Sequence, residues 1–202
     1  MTTICLIPIK SMETVKSRLS TNFNPNQRRK IFMYMLNKTI GTLKKSEISD
    51  YWILSSDLEI SKFAKLNGVK LYEDCVDGLN ETISYYVKKV FDLGYDAMYL
   101  APDLPLIDVP SISQLLNSFE NDDFSLLVPD LEKKGVNAIL WKNNLSFGPF
   151  LGVNSYSIHI EKAIDQNIKI KTFENRKLQF DLDTFDQFNN LPDHIKSKFL
   201  SF

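Results

Sequence analysis

Apolar positions along the chain fall into short unbroken runs and helical stripes that take turns. Residues 3–9, TICLIPI, are apolar enough to fill a strand buried on both faces. Over residues 24–45, Ile31, Met35, Leu36, Ile40 and Leu43 recur at helical spacing with basic residues between them. Asn24 offers a side-chain acceptor to the first turn, and Pro25, with no N–H to leave unpaired, suits the first helical position. YWILSS at 51–56 predicts a second strand. Ser56 and Glu59 then have the spacing of a capping box ahead of ISKFAKLN, and Gly68 ends that helix. A strand at 69–74 precedes a helix over 80–94, with Ile83, Val87, Val90 and Phe91 on one side and Gly94 at its end. A strand at 96–101 is followed by a proline-started helix at 110–119 and by strands at 124–129 and 136–141. A helix over 154–167, a strand at 168–173 and a helical tail from Thr184 complete the pattern.

Strands alternating with helices predict an α/β fold: a mainly parallel central sheet with helices on both faces. No repeat, low-complexity tract or Gly/Ser linker interrupts the alternation, so residues 1–202 are read as a single domain. In such sheets ligands bind beyond the carboxyl ends of the strands. Here those ends carry Lys10, Lys16 and Arg18, then Ser55, Ser56 and Asp57, then Asp74, Asp77 and Asn80, then Asp103. A rim mixing cations with carboxylates suits a phosphate-bearing substrate and a metal ion.

Composition narrows the classes. Of 202 residues, 44% are hydrophobic and 12% aromatic, enough for a sizeable core. A formal net charge of −1 lacks the basic excess of a nucleic-acid-binding surface. Cys5 lies in an apolar run and reads as a buried small hydrophobe, while Cys75 follows an acidic turn. Neither suggests a disulfide framework or a metal motif, so a reducing, cytoplasmic setting is expected. The N-terminus lacks a signal-peptide pattern, and no stretch approaches the roughly 20 apolar residues that cross a bilayer.

Four stretches carry candidate chemistry. PIKSMETVKSRLS, residues 8–20, places Lys10, Lys16 and Arg18 just after the first strand, where fixed positive charge could meet phosphates; a solvated basic loop has the same pattern. The glycine-rich phosphate loops GxxxxGK[ST] and GxGxxG are absent. In LAPDLPLID, residues 100–108, Pro102 and Pro105 stiffen the backbone on either side of Asp103, which preorganises its carboxylate for a cation. Asp108 instead has the position of a helix cap. In FDLDTFDQF, residues 180–188, Asp181 and Asp183 share a face if the segment is extended; Asp183 or Thr184 could equally cap a helix. Gly135 and Gly152 permit close backbone approach, and Asn154 or Ser155 could open a helix whose first amides bind an anion. His159 reads as a packing or hydrogen-bonding residue, and His159 and His194 have no zinc-ligand pattern.

In this order the stretches resemble the CofC-type 2-phospho-L-lactate guanylyltransferase family of deazaflavin-coenzyme biosynthesis. The resemblance rests on Pro8-Ile9-Lys10 with Lys16-Ser17-Arg18-Leu19, Gly78-Leu79-Asn80 and Asp103-Leu104-Pro105-Leu106. It continues through Asn137-Ala138, Gly152-x-x-Ser155 with His159, and Asp181-x-Asp183-Thr184. It implies a three-layer, nucleotide-diphospho-sugar-transferase-like fold, GTP and a small three-carbon phosphoacid as partners, and Mg²⁺ as cofactor. By the same resemblance, Asp103 and Asp183 would hold the metal, and Lys10 would face the phosphates or the acid. Lys16, Arg18, Gly78 and Asn80 would lie near the nucleotide, and Val136, Gly152 and Ser155 near the acid. Two positions depart from the family pattern: Val136 stands where threonine is usual, and Phe185 where proline usually follows Asp183-Thr184. The implied reaction is GMP transfer from GTP to 2-phospho-L-lactate. Phosphoenolpyruvate or another three-carbon phosphoacid as acceptor, or a non-catalytic GTP-binding regulatory module, would leave the same motifs. Related folds suggest a homodimer.

Overall fold

The computed structural model describes residues 2–74, 76–119, 124–143, 145 and 147–200; Cys75 lies outside them. Among these residues seven strands form one mixed sheet in the order β3-β2-β1-β4-β6-β5-β7. They are β1 (Thr3–Pro8), β2 (Asp50–Leu54), β3 (Lys70–Tyr72), β4 (Asp96–Leu100), β5 (Ser125–Pro129), β6 (Val136–Trp141) and β7 (Ile170–Thr172). β1 pairs in parallel with β2 and with β4, and β2 with β3. Every residue of β1, β5 and β6 is buried, as expected where helices cover both faces of a sheet.

β6 is the departure from the parallel expectation, running antiparallel to both β4 and β5. The segment from Pro129 to Val136 is too short for a helical crossover, so only a hairpin can join the two strands. Antiparallel insertion has a functional consequence. The beginning of β6, not its end, lies at the edge where β4 finishes, and Ala101 N–H donates to the Asn137 carbonyl at 2.8 Å.

Among the described residues eight α-helices accompany the sheet, the last three after β7: α1 (Pro25–Leu43), α2 (Leu58–Asn67), α3 (Leu79–Asp92), α4 (Val109–Phe119), α5 (Ser155–Asp165), α6 (Arg176–Gln179), α7 (Phe185–Asn189) and α8 (Asp193–Leu200). Asn24 caps α1 as the sequence predicts, its side chain accepting from Gln27 N–H while Gln27 Oε1 accepts from Asn24 N–H. The predicted Ser56 cap of α2 is replaced by Asp57, whose Oδ1 accepts from Glu59 and Ile60 N–H. A carboxylate has a second oxygen to spend, and Asp57 Oδ2 takes Met12 N–H at 2.8 Å. Asp108 caps α4, accepting from Ser111 N–H, which leaves Asp103 free of that duty. Phe185 does not prevent α7 from starting, because Thr184 and Gln187 form a capping box. Its ring packs against Phe23 and Phe188.

Candidate active site

The loop after β1 is held from several directions. Ile9 N–H donates to the Leu54 carbonyl at 2.9 Å, and Asp57 holds Met12. From α1, Arg28 Nη1 reaches the Val15 carbonyl at 3.4 Å and Arg29 Nε the Met12 carbonyl at 3.3 Å. Lys16 then adopts a left-handed backbone, φ 52° and ψ 41°, which costs a non-glycine residue about 1 kcal/mol. This turn sends the side chain inward. Only 4% of it is exposed, and Nζ lies 2.5 Å from Asp103 Oδ2 and 2.7 Å from Asp183 Oδ1.

The two carboxylates arrive by separate routes. Asp103 follows β4 at the sheet's carboxyl edge, on a backbone fixed by Pro102 and Pro105; Lys38 Nζ donates to the Pro105 carbonyl at 2.6 Å. Asp183 returns from the far side of the sheet. After β7, α6 crosses the start of β6, where buried Asn137 Nδ2 donates to the Leu178 and Gln179 carbonyls at 3.1 and 3.0 Å. The chain then runs extended, and Leu182 N–H donates to the Asp103 carbonyl at 3.2 Å. Side chains alternate along an extended segment, so buried Leu182 puts Asp181 and Asp183 together on the other face. Exposed Arg18 adds its Nη1 to Asp183 Oδ2 at 3.2 Å.

Charge here is crowded. Burial alone would lower the Lys16 pKa, but Asp103 and Asp183 raise it above the ordinary lysine value. Burial would lift Asp183, yet Lys16 and Arg18 hold it below the usual carboxylate range. Asp181 goes the other way. Burial, with the charges of Asp103 and Asp183, pushes it up to about 7 despite Lys16. Burial first, and then Asp103 and Asp181, likewise push the Tyr99 phenol upward.

The raised Asp181 carries a pH signature. A carboxyl with a folded pKa of about 7 against a reference value of 3.8 binds more protons folded than unfolded between those limits. In the metal-free protein its ionisation therefore costs stability progressively as pH rises through that window. Asp181→Asn in chelator should melt with wild type near about pH 4 and above it near about pH 8. A variant that melts lower at both would show that Asp181 is not strained in this way.

A cleft of about 270 Å³ opens on this cluster, lined by Val15, Lys16, Ser17, Arg18, Phe32, Asp103 and Asp183. Four of the residues singled out from the sequence thus converge: Lys16, Arg18, Asp103 and Asp183. Lys10 does not join the lining; it is exposed at the loop's start.

The remaining candidates gather elsewhere, and several differ from expectation. Val136 is buried in β6, so its side chain is not presented to a ligand. Ser155 is also buried, at 1% exposure, and its carbonyl lies 2.6 Å from His159 Nδ1. Asn80 does not hold its amide toward an open cleft: its two ends grip the backbone N–H and carbonyl of Leu151, at 2.7 and 3.0 Å. Gly78 and Gly152 do stand at exposed turns, with φ of 105° and 134° that favour glycine. A Cβ at Gly78 would meet the Glu81 carboxylate, whereas the space beside Gly152 is open.

The donor set fits a hard divalent cation. Two carboxylate oxygens from separate segments already share one positive charge, and burial, with the charges of these two, raises the pKa of a third carboxyl, Asp181. Among the described residues no three metal-binding side chains stand at metal-holding spacing, and the Lys16 ammonium lies between Asp103 and Asp183. Asp103 and Asp183, with Asp181 beside them, could hold the ion.

Two contributors, Asp181 and Asn137, appear in the sequence motifs but receive no site role from them. The i, i+2 pairing of Asp181 with Asp183 was the signal for the first. Asn137 acts at a distance, pinning the α6 segment that delivers both carboxylates, and nothing local in a strand sequence marks that.

Comparisons with known proteins bear on the family and the fold. The family described as "Guanylyl transferase CofC like" matches residues 3–198. A phosphoenolpyruvate guanylyltransferase of Rubrobacter xylanophilus is 25% identical over 91% of this chain and 90% of its own. A 2-phospho-L-lactate guanylyltransferase of Methanosphaera stadtmanae is 27% identical over 90% of this chain and 79% of its own. Among solved structures, a Desulfovibrio desulfuricans protein described as a nucleotide-diphospho-sugar transferase superposes with a TM-score of 0.80 at 16% identity, covering 100% of this chain and 95% of that one. A cytidylyltransferase of Leptospira borgpetersenii gives a TM-score of 0.64 at 16% identity, over 100% and 88%. The fold is that of nucleotide-diphospho-sugar transferases.

Proposed function

Because the chain belongs to the CofC-like guanylyl transferase family, we propose that it transfers GMP from GTP to a three-carbon phosphoacid and releases pyrophosphate. The observation that carries this reading is the convergence of Asp103, Asp183 and Lys16 beside a cleft that Arg18 also lines.

An oxygen of the acceptor phosphate attacks the α-phosphorus of GTP. A P–O bond forms there, and the bond from the α-phosphorus to the bridging β-phosphate oxygen breaks. The products are pyrophosphate and a guanosine diphosphate ester of the acid. A phosphate monoester with a second pKa near about 6 is mostly dianionic at neutral pH. The nucleophile is therefore already ionised, and no side chain has to remove a proton. What the protein must overcome is repulsion between two polyanions.

Lys16 and Arg18 supply positive charge at the cleft, Lys16 on a backbone that aims it inward. Mg²⁺, held by Asp103 and Asp183 with Asp181 beside them, would act as a Lewis acid on phosphate oxygens. The Gly152 turn suits the acceptor's carboxylate. It leads into α5, whose first turn holds no acidic residue, and the space beside Gly152 is open.

The acceptor is either 2-phospho-L-lactate or phosphoenolpyruvate, both phosphorylated on the carbon next to a carboxylate. The first follows from the motif resemblance. The second is favoured by the name of the Rubrobacter xylanophilus relative. Pyrophosphate release should be measured with GTP, Mg²⁺ and each acid, and with ATP and CTP as controls. Release that needs GTP and one of the two acids is expected. Release with another nucleotide alone, or with neither acid, would overturn the reading.

A further inference from the structure

Asn80, at the start of α3, spends both ends of its amide on the backbone of one distant residue, bridging the two peptide groups on either side of Leu151. Oδ1 accepts from Leu151 N–H at 2.7 Å, and Nδ2 donates to the Leu151 carbonyl at 3.0 Å. The preceding amide, Phe150 N–H, donates to His159 Nε2 at 3.1 Å. A backbone N–H can only donate, so Nε2 is unprotonated and Nδ1 carries the proton toward the Ser155 carbonyl. The imidazole is fully buried, with the Phe147 and Phe150 rings edge-on against it. Consecutive peptides are thus anchored from two helices, α3 and α5.

Gly152 comes directly after them. With φ of 134° it holds a conformation that glycine adopts freely, and glycine leaves freely too. Its geometry therefore depends on outside anchors. Turning the Asn80 amide toward a purine would break both hydrogen bonds to Leu151 and release the turn.

We propose that Asn80 is a positioning residue for the acceptor rather than a contact to the nucleotide, locking the Phe150–Leu151 peptides so that the Gly152 turn stays open to the acid's carboxylate. The inference rests on reading that turn as the acid subsite. It also links the first turn of α3, where Gly78 was expected to meet the nucleotide, to the place where the second reactant binds.

The test is steady-state kinetics of Asn80→Ala and Asn80→Asp, varying each substrate with the other saturating. Losing two neutral hydrogen bonds should raise the KM for the acid about tenfold in Asn80→Ala, while the KM for GTP stays within about twofold. Asn80→Asp keeps the volume and the acceptor for Leu151 N–H but turns a carboxylate oxygen against the Leu151 carbonyl. It too should raise the KM for the acid and leave that for GTP within about twofold, and it stands in if the alanine variant does not fold. Deuterium uptake at the Leu151 amide should rise in Asn80→Ala without any substrate present. A raised KM for GTP with an unchanged KM for the acid would overturn the proposal, as would unchanged values for both. Failure of the functional reading itself shows separately, as wild-type protein that releases no pyrophosphate with either acid, and it removes this inference with it.

Discussion

Lys16→Met should destabilise the metal-free protein by about 2 kcal/mol at neutral pH and should bind Mn²⁺ more tightly than wild type. Removing one partner of a buried ion pair costs roughly 3–5 kcal/mol when the other charge stays buried. Asp103 and Asp183 retain 22% and 34% exposure, so solvent screens part of that loss. The cost should shrink as pH falls, because, against its burial, Lys16 holds Asp183 below the usual carboxylate range, and that contribution is lost as the carboxylate protonates. Millimolar Mn²⁺ should also reverse it, since an ion that binds only the folded state stabilises that state. Thermal melts at several pH values, with chelator and with Mn²⁺, check all three effects. A variant as stable as wild type in chelator at neutral pH would mean that Lys16 does not neutralise this pair.

Asp103→Asn should lower turnover on the order of a thousandfold while changing stability by no more than about 1 kcal/mol. An ion that polarises phosphate oxygens is worth several kcal/mol in the transition state, and about 4 kcal/mol is a thousandfold. The amide keeps an oxygen that can accept from Lys16, so the fold loses little. The comparison requires kcat beside a melting curve on one preparation. A folded, fully active Asp103→Asn enzyme would remove Asp103 from the chemistry.

Much of the fold is legible in the sequence because its signals are local. The apolar run TICLIPI becomes β1, and the Asn24-Pro25 start of α1 is where capping chemistry puts it. What escaped depends on partners far away in the chain. Nothing within 136–141 says that this strand inserts between β4 and β5, although the six residues 130–135 before it could carry only a hairpin. Ser56 and Asp57 compete for one cap, and the winner is decided by Met12, which can use the second carboxylate oxygen.

The site divides in the same manner. Two prolines around Asp103 announce a held carboxylate, and the outcome is a carboxylate gripped by Lys16. The inward turn of Lys16 has no sequence signal, since lysine has no preference for the left-handed region; the loop's tethers to α1 and α2 impose it. Asn80 is placed near the nucleotide by the family resemblance and by its position on the rim beyond the strands. Its use by Leu151 depends on a segment 71 residues away in sequence.

The most direct test is to locate Mn²⁺ by anomalous scattering in crystals soaked with the ion and a non-hydrolysable GTP analogue. The expected peak lies within bonding reach of the Asp103 and Asp183 carboxylates. A nucleotide-bound crystal with its Mn²⁺ held by other residues, or with Lys16 still bridging both aspartates, would contradict a shared cation position at the centre of this site.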